Sequence, residues 1–67
     1  MNYSMTELTE AKRQIDSILQ KLNETVRTLE AKDSPERYKS QVTLAKRRID
    51  ALTLALYLIE EKLHKDL

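Results

Sequence analysis

The sequence predicts an all-α protein, an antiparallel two-helix hairpin that resembles a short coiled coil. The chain has 67 residues and no glycine, which disfavours β architectures because their tight turns need glycine. Apolar residues recur every three or four positions in two long stretches, as they do along the buried face of an amphipathic helix. A Ser-Pro pair separates the two stretches, and helices joined by so short a connection are antiparallel neighbours.

The first helix is expected over about residues 5–32. Ser4-Met5-Thr6-Glu7 has the form of a capping box, in which a hydroxyl residue precedes Glu by three positions. The predicted seam, meaning the residues that face the other helix, comprises Leu8, Ala11, Ile15, Ile18, Leu22 and Leu29, widened by Leu19 and Val26. Thr25 is the polar member of that series.

The turn is expected at residues 32–35 and the second helix over about residues 35–65. Ser34 is a capping hydroxyl, and Pro35 suits the first helical position, where a missing N–H is tolerated. The second seam comprises Tyr38, Val42, Ala45, Ile49, Leu52, Leu56, Ile59 and Leu63. Residues 1–67 are therefore predicted to form one helical hairpin, shaped as a rod.

A hairpin of this size is expected to need a partner. Below roughly 70 to 80 residues a single core seldom suffices without a disulfide, a metal ion or another chain. The sequence has no Cys and one His, so we predict no disulfide, no metal site and no cofactor. The net charge is +1, no apolar run is long enough to span a bilayer, and the first residues lack the apolar core of a signal peptide. The expected location is the cytoplasm.

The second helix carries more apolar residues than one seam can use. Those outside the seam share a second face and are the predicted partner-binding residues: Leu44, Ala51, Leu54, Ala55 and Leu58. Such a face favours either self-association into a four-helix bundle or docking into a groove of a different protein. Binding to a membrane surface is disfavoured because Glu60 and Glu61, and not basic residues, follow the apolar run. Tyr57 is expected at the rim of this interface.

A basic run suggests an alternative function. Arg37, Lys39, Lys46, Arg47 and Arg48 occur without an acid among them. Such a run can bind phosphates, and homodimeric four-helix bundles that bind RNA form a known class. The simpler interpretation is a solvated helix face, because Asp50 lies within one turn of Lys46 and Arg47.

Catalysis has little support in the sequence. Adjacent Glu60 and Glu61 point about 100° apart on a helix, which is poor geometry for an acid and base pair. Glu60 and His64, four residues apart, are expected to form an ion pair at the helix end. The chain is predicted not to be an enzyme.

One motif suggests a family. Ser34-Pro35-Glu36-Arg37-Tyr38, followed by a helix with Ala45, Ile49, Leu52, Leu56 and Ile59, resembles the small E-type co-chaperones of type III secretion needle subunits. The resemblance spans about residues 8–65. It implies a cytosolic complex with a tetratricopeptide-like G-type chaperone, in which the needle subunit is kept soluble and unpolymerised until export. It also implies that the second face of the second helix is buried against the G-type chaperone.

Overall fold

The computed structural model of the chain describes residues 2–33 and 35–65. Three elements follow one another along the chain: helix α1 (Met5–Glu30), a 3-10 turn (Pro35–Tyr38) and helix α2 (Lys39–Lys65). The two long helices pack side by side along their length in a rod of 48 × 16 × 16 Å. The predicted all-α hairpin is therefore confirmed.

The start of α1 is fixed by the predicted capping box. The Glu7 amide donates to Ser4 Oγ, and the Ser4 amide donates to Glu7 Oε1, each over 3.1 Å. These bonds satisfy backbone donors that the first turn of a helix leaves without a partner. At the other end, the Ala31 amide donates to the Arg27 carbonyl over 3.1 Å. Helix α1 ends at Glu30, two residues before the predicted bound.

The start of α2 differs from the prediction. Residues 35–38 form a 3-10 turn, and the α-helix begins at Lys39. A 3-10 turn, whose hydrogen bonds join residues three apart, is common at the beginning of an α-helix. The predicted capping role of Ser34 lies outside the described residues.

The residues predicted for the seam of α2 all lie there, and those predicted for α1 do so with one exception. All eight expected residues of the second helix are buried or half-buried. In α1 the seam comprises Leu8, Ala11, Ile15, Leu19, Leu22, Val26 and Leu29. Ile18 is 45% exposed, so its predicted place in the seam is wrong. The series through Leu19 and Val26 is apolar throughout, and the polar Thr25 is left exposed.

The hairpin has almost no core of its own. Among the described residues only Val26, at 8% exposure, and Ala45, at 5%, are buried, and no large side chain is fully buried. The chain exposes 5563 Å², whereas a compact protein of 7.9 kDa would expose about 4,400 Å². The excess of about 1,150 Å² is larger than one partner's share of an ordinary protein–protein interface, which is roughly 800 Å².

Candidate docking surface

The line where α1 meets α2 has two flanks, and one of them is ionic. Near the turn, Lys46 Nζ lies 3.3 Å from Glu30 Oε2. At the open end of the hairpin, Lys12 of α1 lines a shallow pocket with Glu60 and His64 of α2. These residues define one flank, which we call the ionic flank.

The opposite flank is apolar. At the open end, Ala11 of α1 and Ile59 of α2 line a groove. Its other lining residues are Tyr3, Thr6, Glu7, Leu8 and Glu10, so two carboxylates lie at this end of the flank. Ile18 follows Ala11 by seven residues and Ala55 precedes Ile59 by four, so each lies on the same side of its helix as the groove residue that it repeats. Ile18 and Ala55 therefore lie on this flank, nearer the turn than the groove. We call this side the apolar flank.

The predicted partner-binding residues lie along the apolar flank and the outer face beside it. Leu44, Leu54 and Leu58 are 48%, 60% and 58% exposed, respectively. Ala51 is exposed as well, whereas Ala55 is half-buried because it lies at the edge of the seam. Together these five residues form the α2 stripe, in which successive members are seven, three, one and three residues apart and lie on one side of the helix. Tyr57, predicted at the rim, is 60% exposed.

Two residues beside the stripe are not among those chosen from the sequence. Ile18 is a residue of α1 that lies on the apolar flank. Its exposure depends on the rotation of α1 about its own axis relative to α2. Arg47 lies between Leu44 and Ala51 at spacings of three and four residues, so it belongs to the same row. The position of Arg47 on this face could have been predicted from helical spacing, because spacing places a residue on a face whatever its type.

The basic run does not form one patch. Lys46 is engaged with Glu30 across the helices, and the Arg37 guanidinium lies 6.0 Å from the centre of the Tyr38 ring. Arg47 and Arg48 point about 100° apart, one towards the outer face and the other towards the seam side of the apolar flank. Lys39 and Arg47 line one shallow depression with Leu44, whereas Lys46 is paired with Glu30, so the five cations do not form one surface.

The residues considered for catalysis make no acid and base pair. Glu60 is half-buried at the seam and His64 is exposed, and no hydrogen bond or ion pair joins their side chains. The predicted ion pair between them is therefore wrong, because Glu60 lies against α1 and not along the outer face of α2. Within residues 2–33 and 35–65, no three His, Asp or Glu side chains cluster closely enough to hold a metal ion.

A polar cluster occupies the exposed face of the first turns of α1. The Gln14 amide donates to Glu10 Oε1 over 2.9 Å, and the Arg13 guanidinium donates to Glu10 Oε2. These two hydrogen bonds, the one from Gln14 first, lower the pKa of Glu10 below its ordinary value. The cluster is one of neighbouring residues on a single helix, so it stabilises α1 and offers no site for a ligand.

Comparison of the chain with protein-family models, curated proteins and solved structures gives no match. The assignment of function therefore depends on the geometry of the hairpin and on the motif at its turn. Neither α1 nor α2, over the residues described, is long and apolar enough to cross a membrane.

Proposed function

We propose that the chain is a co-chaperone of a type III secretion needle subunit. It docks on a tetratricopeptide-like G-type chaperone through the α2 stripe and stabilises that chaperone. The needle subunit is then held soluble and unpolymerised in the cytosol. The observation that carries the proposal is the exposed apolar row on a hairpin whose only buried residues, among those described, are Val26 and Ala45.

The fold supports this proposal on physical grounds. An exposed face of large apolar side chains forgoes about 1.5 to 3 kcal/mol for each one left in water, and contiguous patches of this kind mark interaction sites. Tetratricopeptide repeats stack helix pairs into a concave surface that receives a helix of a partner. The resemblance at Pro35–Tyr38 and along α2 points to the same class of partner.

The action of such a complex requires no catalysis. Needle subunits assemble through exposed amphipathic helices, and a complex that binds the monomer lowers the free concentration available for assembly. The chain contributes by covering the apolar surface of the G-type chaperone that would otherwise remain in water. No residue of the hairpin needs to contact the needle subunit for this effect.

The RNA-binding alternative is less well supported. It requires several cations on one surface, yet Lys46 is engaged with Glu30 and the remaining cations of the run point in different directions. A second copy of the chain would have to bring these dispersed charges together. We therefore retain the protein partner as the proposed function.

The proposal is tested by purifying the tagged chain from its native host and identifying the copurifying proteins by mass spectrometry. We expect a tetratricopeptide-like chaperone and a needle subunit. The three purified proteins are then recombined, and needle polymer is measured by sedimentation. Wild-type chain should keep the needle subunit in the supernatant, whereas Leu54→Asp should not. The same pelleted fraction with and without the chain, or a pull-down without these two proteins, would refute the proposal.

A further inference from the structure

The face of α2 that points away from α1 carries opposite charges at equal distances from an apolar centre. Leu54 and Leu58 form that centre and are 60% and 58% exposed. Arg47 precedes Leu54 by seven residues and Glu61 follows it by seven, so these three side chains lie within about 40° of one another around the helix. Neither Arg47 nor Glu61 forms an ion pair or side-chain hydrogen bond with another described residue.

Such a face is complementary to itself in the antiparallel orientation. A two-fold axis beside Leu54 places each residue opposite the residue of the second copy that lies equally far on the other side of Leu54. Leu54 then meets its own counterpart, and Arg47 of each copy meets Glu61 of the other. Residues 43–65 of the two copies lie side by side over about 33 Å. A parallel pair would instead place Arg47 against Arg47, and like charges across an interface are unfavourable.

Charge also favours this register over the neighbouring antiparallel ones. A two-fold axis at Ala51, one turn earlier, places Leu54 opposite Arg48 of the second copy. An axis at Leu58, one turn later, places Leu54 opposite Lys62. Both registers put an exposed leucine against a cation and separate the oppositely charged residues of the face. The register centred on Leu54 is therefore the one in which apolar meets apolar and cation meets anion.

The other charges of α2 do not oppose this arrangement. Lys62 is level with Lys46 of the second copy, but these positions lie about 160° apart around the helix, and Lys46 is paired with Glu30 on the ionic flank. Asp50 is level with Leu58 of the second copy, and these positions lie about 80° apart. The two members of each pair are thus at opposite edges of the interface, where the charged groups remain in water.

The exposed area of the hairpin is sufficient for a stable dimer. One hairpin exposes about 1,150 Å² more than a compact protein of its mass, and each partner of an ordinary stable interface buries roughly 800 Å². Among the described residues only Val26 and Ala45 are buried within one hairpin. A second copy on the outer face of α2 therefore supplies apolar burial that the single hairpin lacks.

We infer that two copies of the chain pair through the outer faces of α2, antiparallel and centred on Leu54, with Arg47 of each copy opposite Glu61 of the other. The occupant of this face in the isolated chain is a second copy. The dimer covers Leu54 and Leu58 of the α2 stripe, which the proposed function assigns to the G-type chaperone. Resting on that function, the inference adds that self-association and docking exclude each other, so the dimer dissociates when the complex forms.

The mass of the chain in solution tests the dimer. Sedimentation equilibrium at micromolar concentrations should give twice the 7.9 kDa of one chain. Leu54→Asp brings two carboxylates together at the axis and should weaken dimerisation at least a hundred-fold, whereas the exposed neighbour Thr53→Asp should have little effect. Circular dichroism should show the same helix content in both variants. A wild-type chain that is monomeric throughout the micromolar range would overturn the inference.

A charge exchange tests the register. Arg47→Glu and Glu61→Arg should each weaken the dimer at least ten-fold, because either change places like charges opposite each other twice. An equimolar mixture of the two variants should recover the wild-type affinity, since the mixed dimer again has opposite charges face to face. The matched controls Arg27→Glu and Glu24→Arg alter exposed residues of α1 and should leave dimerisation unchanged. Single variants that dimerise normally, or a mixture that does not recover, would contradict the register.

Single cysteines test the orientation independently of charge, because the chain has no Cys. Leu54→Cys should form a disulfide between copies on mild oxidation, since the axis brings this position against itself. Leu44→Cys should not, because the two copies of that position lie about 30 Å apart in the antiparallel dimer. Disulfides at both positions would indicate a parallel pair and overturn the inference.

The same disulfide tests whether dimerisation and docking exclude each other. The oxidised Leu54→Cys dimer should not bind the G-type chaperone, and binding should return on reduction. Equal binding before and after reduction would overturn the exclusion. A monomeric chain that copurifies with the chaperone would refute the dimer and leave the proposed function standing, whereas a dimer that copurifies with no such chaperone would do the reverse.

Discussion

Lys46 Nζ of α2 lies 3.3 Å from Glu30 Oε2 of α1, and this ion pair joins the two helices. It joins the last residue of α1 to the second turn of α2, next to the most tightly packed part of the seam. Glu30 lies one turn after Val26, and Lys46 directly follows Ala45. The ion pair therefore lies on the ionic flank beside the two most buried residues, Val26 and Ala45.

Breaking this ion pair should have a small, salt-dependent effect. Both side chains are about half exposed, at 57% and 51%, and exposed ion pairs contribute roughly 0.2 to 1 kcal/mol. We expect Glu30→Gln to lower the free energy of unfolding by no more than this amount in low salt, and by less in 0.5 M salt. Urea denaturation of Glu30→Gln, Lys46→Met and the double variant measures the coupling. A coupling above about 2 kcal/mol would contradict the exposed geometry.

Enlarging Ala45 should destabilise the hairpin. Its 5% exposure leaves no room for extra methyl groups, and inserting them into a packed site costs about 1 to 3 kcal/mol. We expect Ala45→Leu to lower the midpoint of urea unfolding. The matched control is Ala51→Leu, on the exposed row of the same helix, which should change stability by less than about 0.5 kcal/mol. Equal effects of the two changes would mean that Ala45 does not lie between the helices.

Docking and folding should be separable on α2. Leu54→Asp and Leu58→Asp alter side chains that are 60% and 58% exposed, so helicity should be retained. In the complex each carboxylate would be desolvated at a cost of several kcal/mol, enough to shift a nanomolar Kd beyond micromolar. Circular dichroism and copurification with the tetratricopeptide-like chaperone measure the two properties. Retained binding by both variants would place the interface elsewhere.

Leu52→Asp provides the contrasting case. Leu52 is half-buried in the seam, so a carboxylate there disrupts the contact between α1 and α2 and leaves a charge in an apolar site. We expect this variant to lose helicity as well as binding, with a fall in stability of about 2 kcal/mol or more. A Leu52→Asp variant that remains as helical as Leu54→Asp would show that the seam does not hold the helices together.

Acid should weaken the start of α1 through Glu10. Hydrogen bonds from Gln14 and Arg13 lower the pKa of this carboxyl in the folded chain, so the unfolded chain binds the proton more readily. The stabilisation is present above the unfolded pKa and is lost as the pH falls through the folded pKa. We expect an NMR titration to show a lower pKa for Glu10 in the wild type than in Gln14→Ala. Identical values would contradict the role of Gln14.

Much of the fold could be predicted from local sequence. The capping box at Ser4 and Glu7 needs only four consecutive residues, because both hydrogen bonds are made within the first turn. Every residue predicted for the seam of α2 lies there, since the predicted series has no polar member that would allow a rotated alternative. The exposed apolar face of α2 could also be predicted from the spacing of its apolar residues. They occupy two faces of α2, and α1 can cover only one of them.

The tertiary structure decided what depends on contact between the helices. In α1, Ile18 and Leu19 are both apolar and adjacent, so the sequence permits two rotations, and packing selects the one that buries Leu19 and Val26 and exposes Ile18. The ion pair between Glu30 and Lys46 depends on the register of the helices, which local propensity does not specify. The amino-acid sequence thus determined that there are two amphipathic helices and which face of α2 is left over. Only the packing of one helix on the other decided that Ile18 joins that face, because side chains of separate helices share a surface only when rotation and register bring them together.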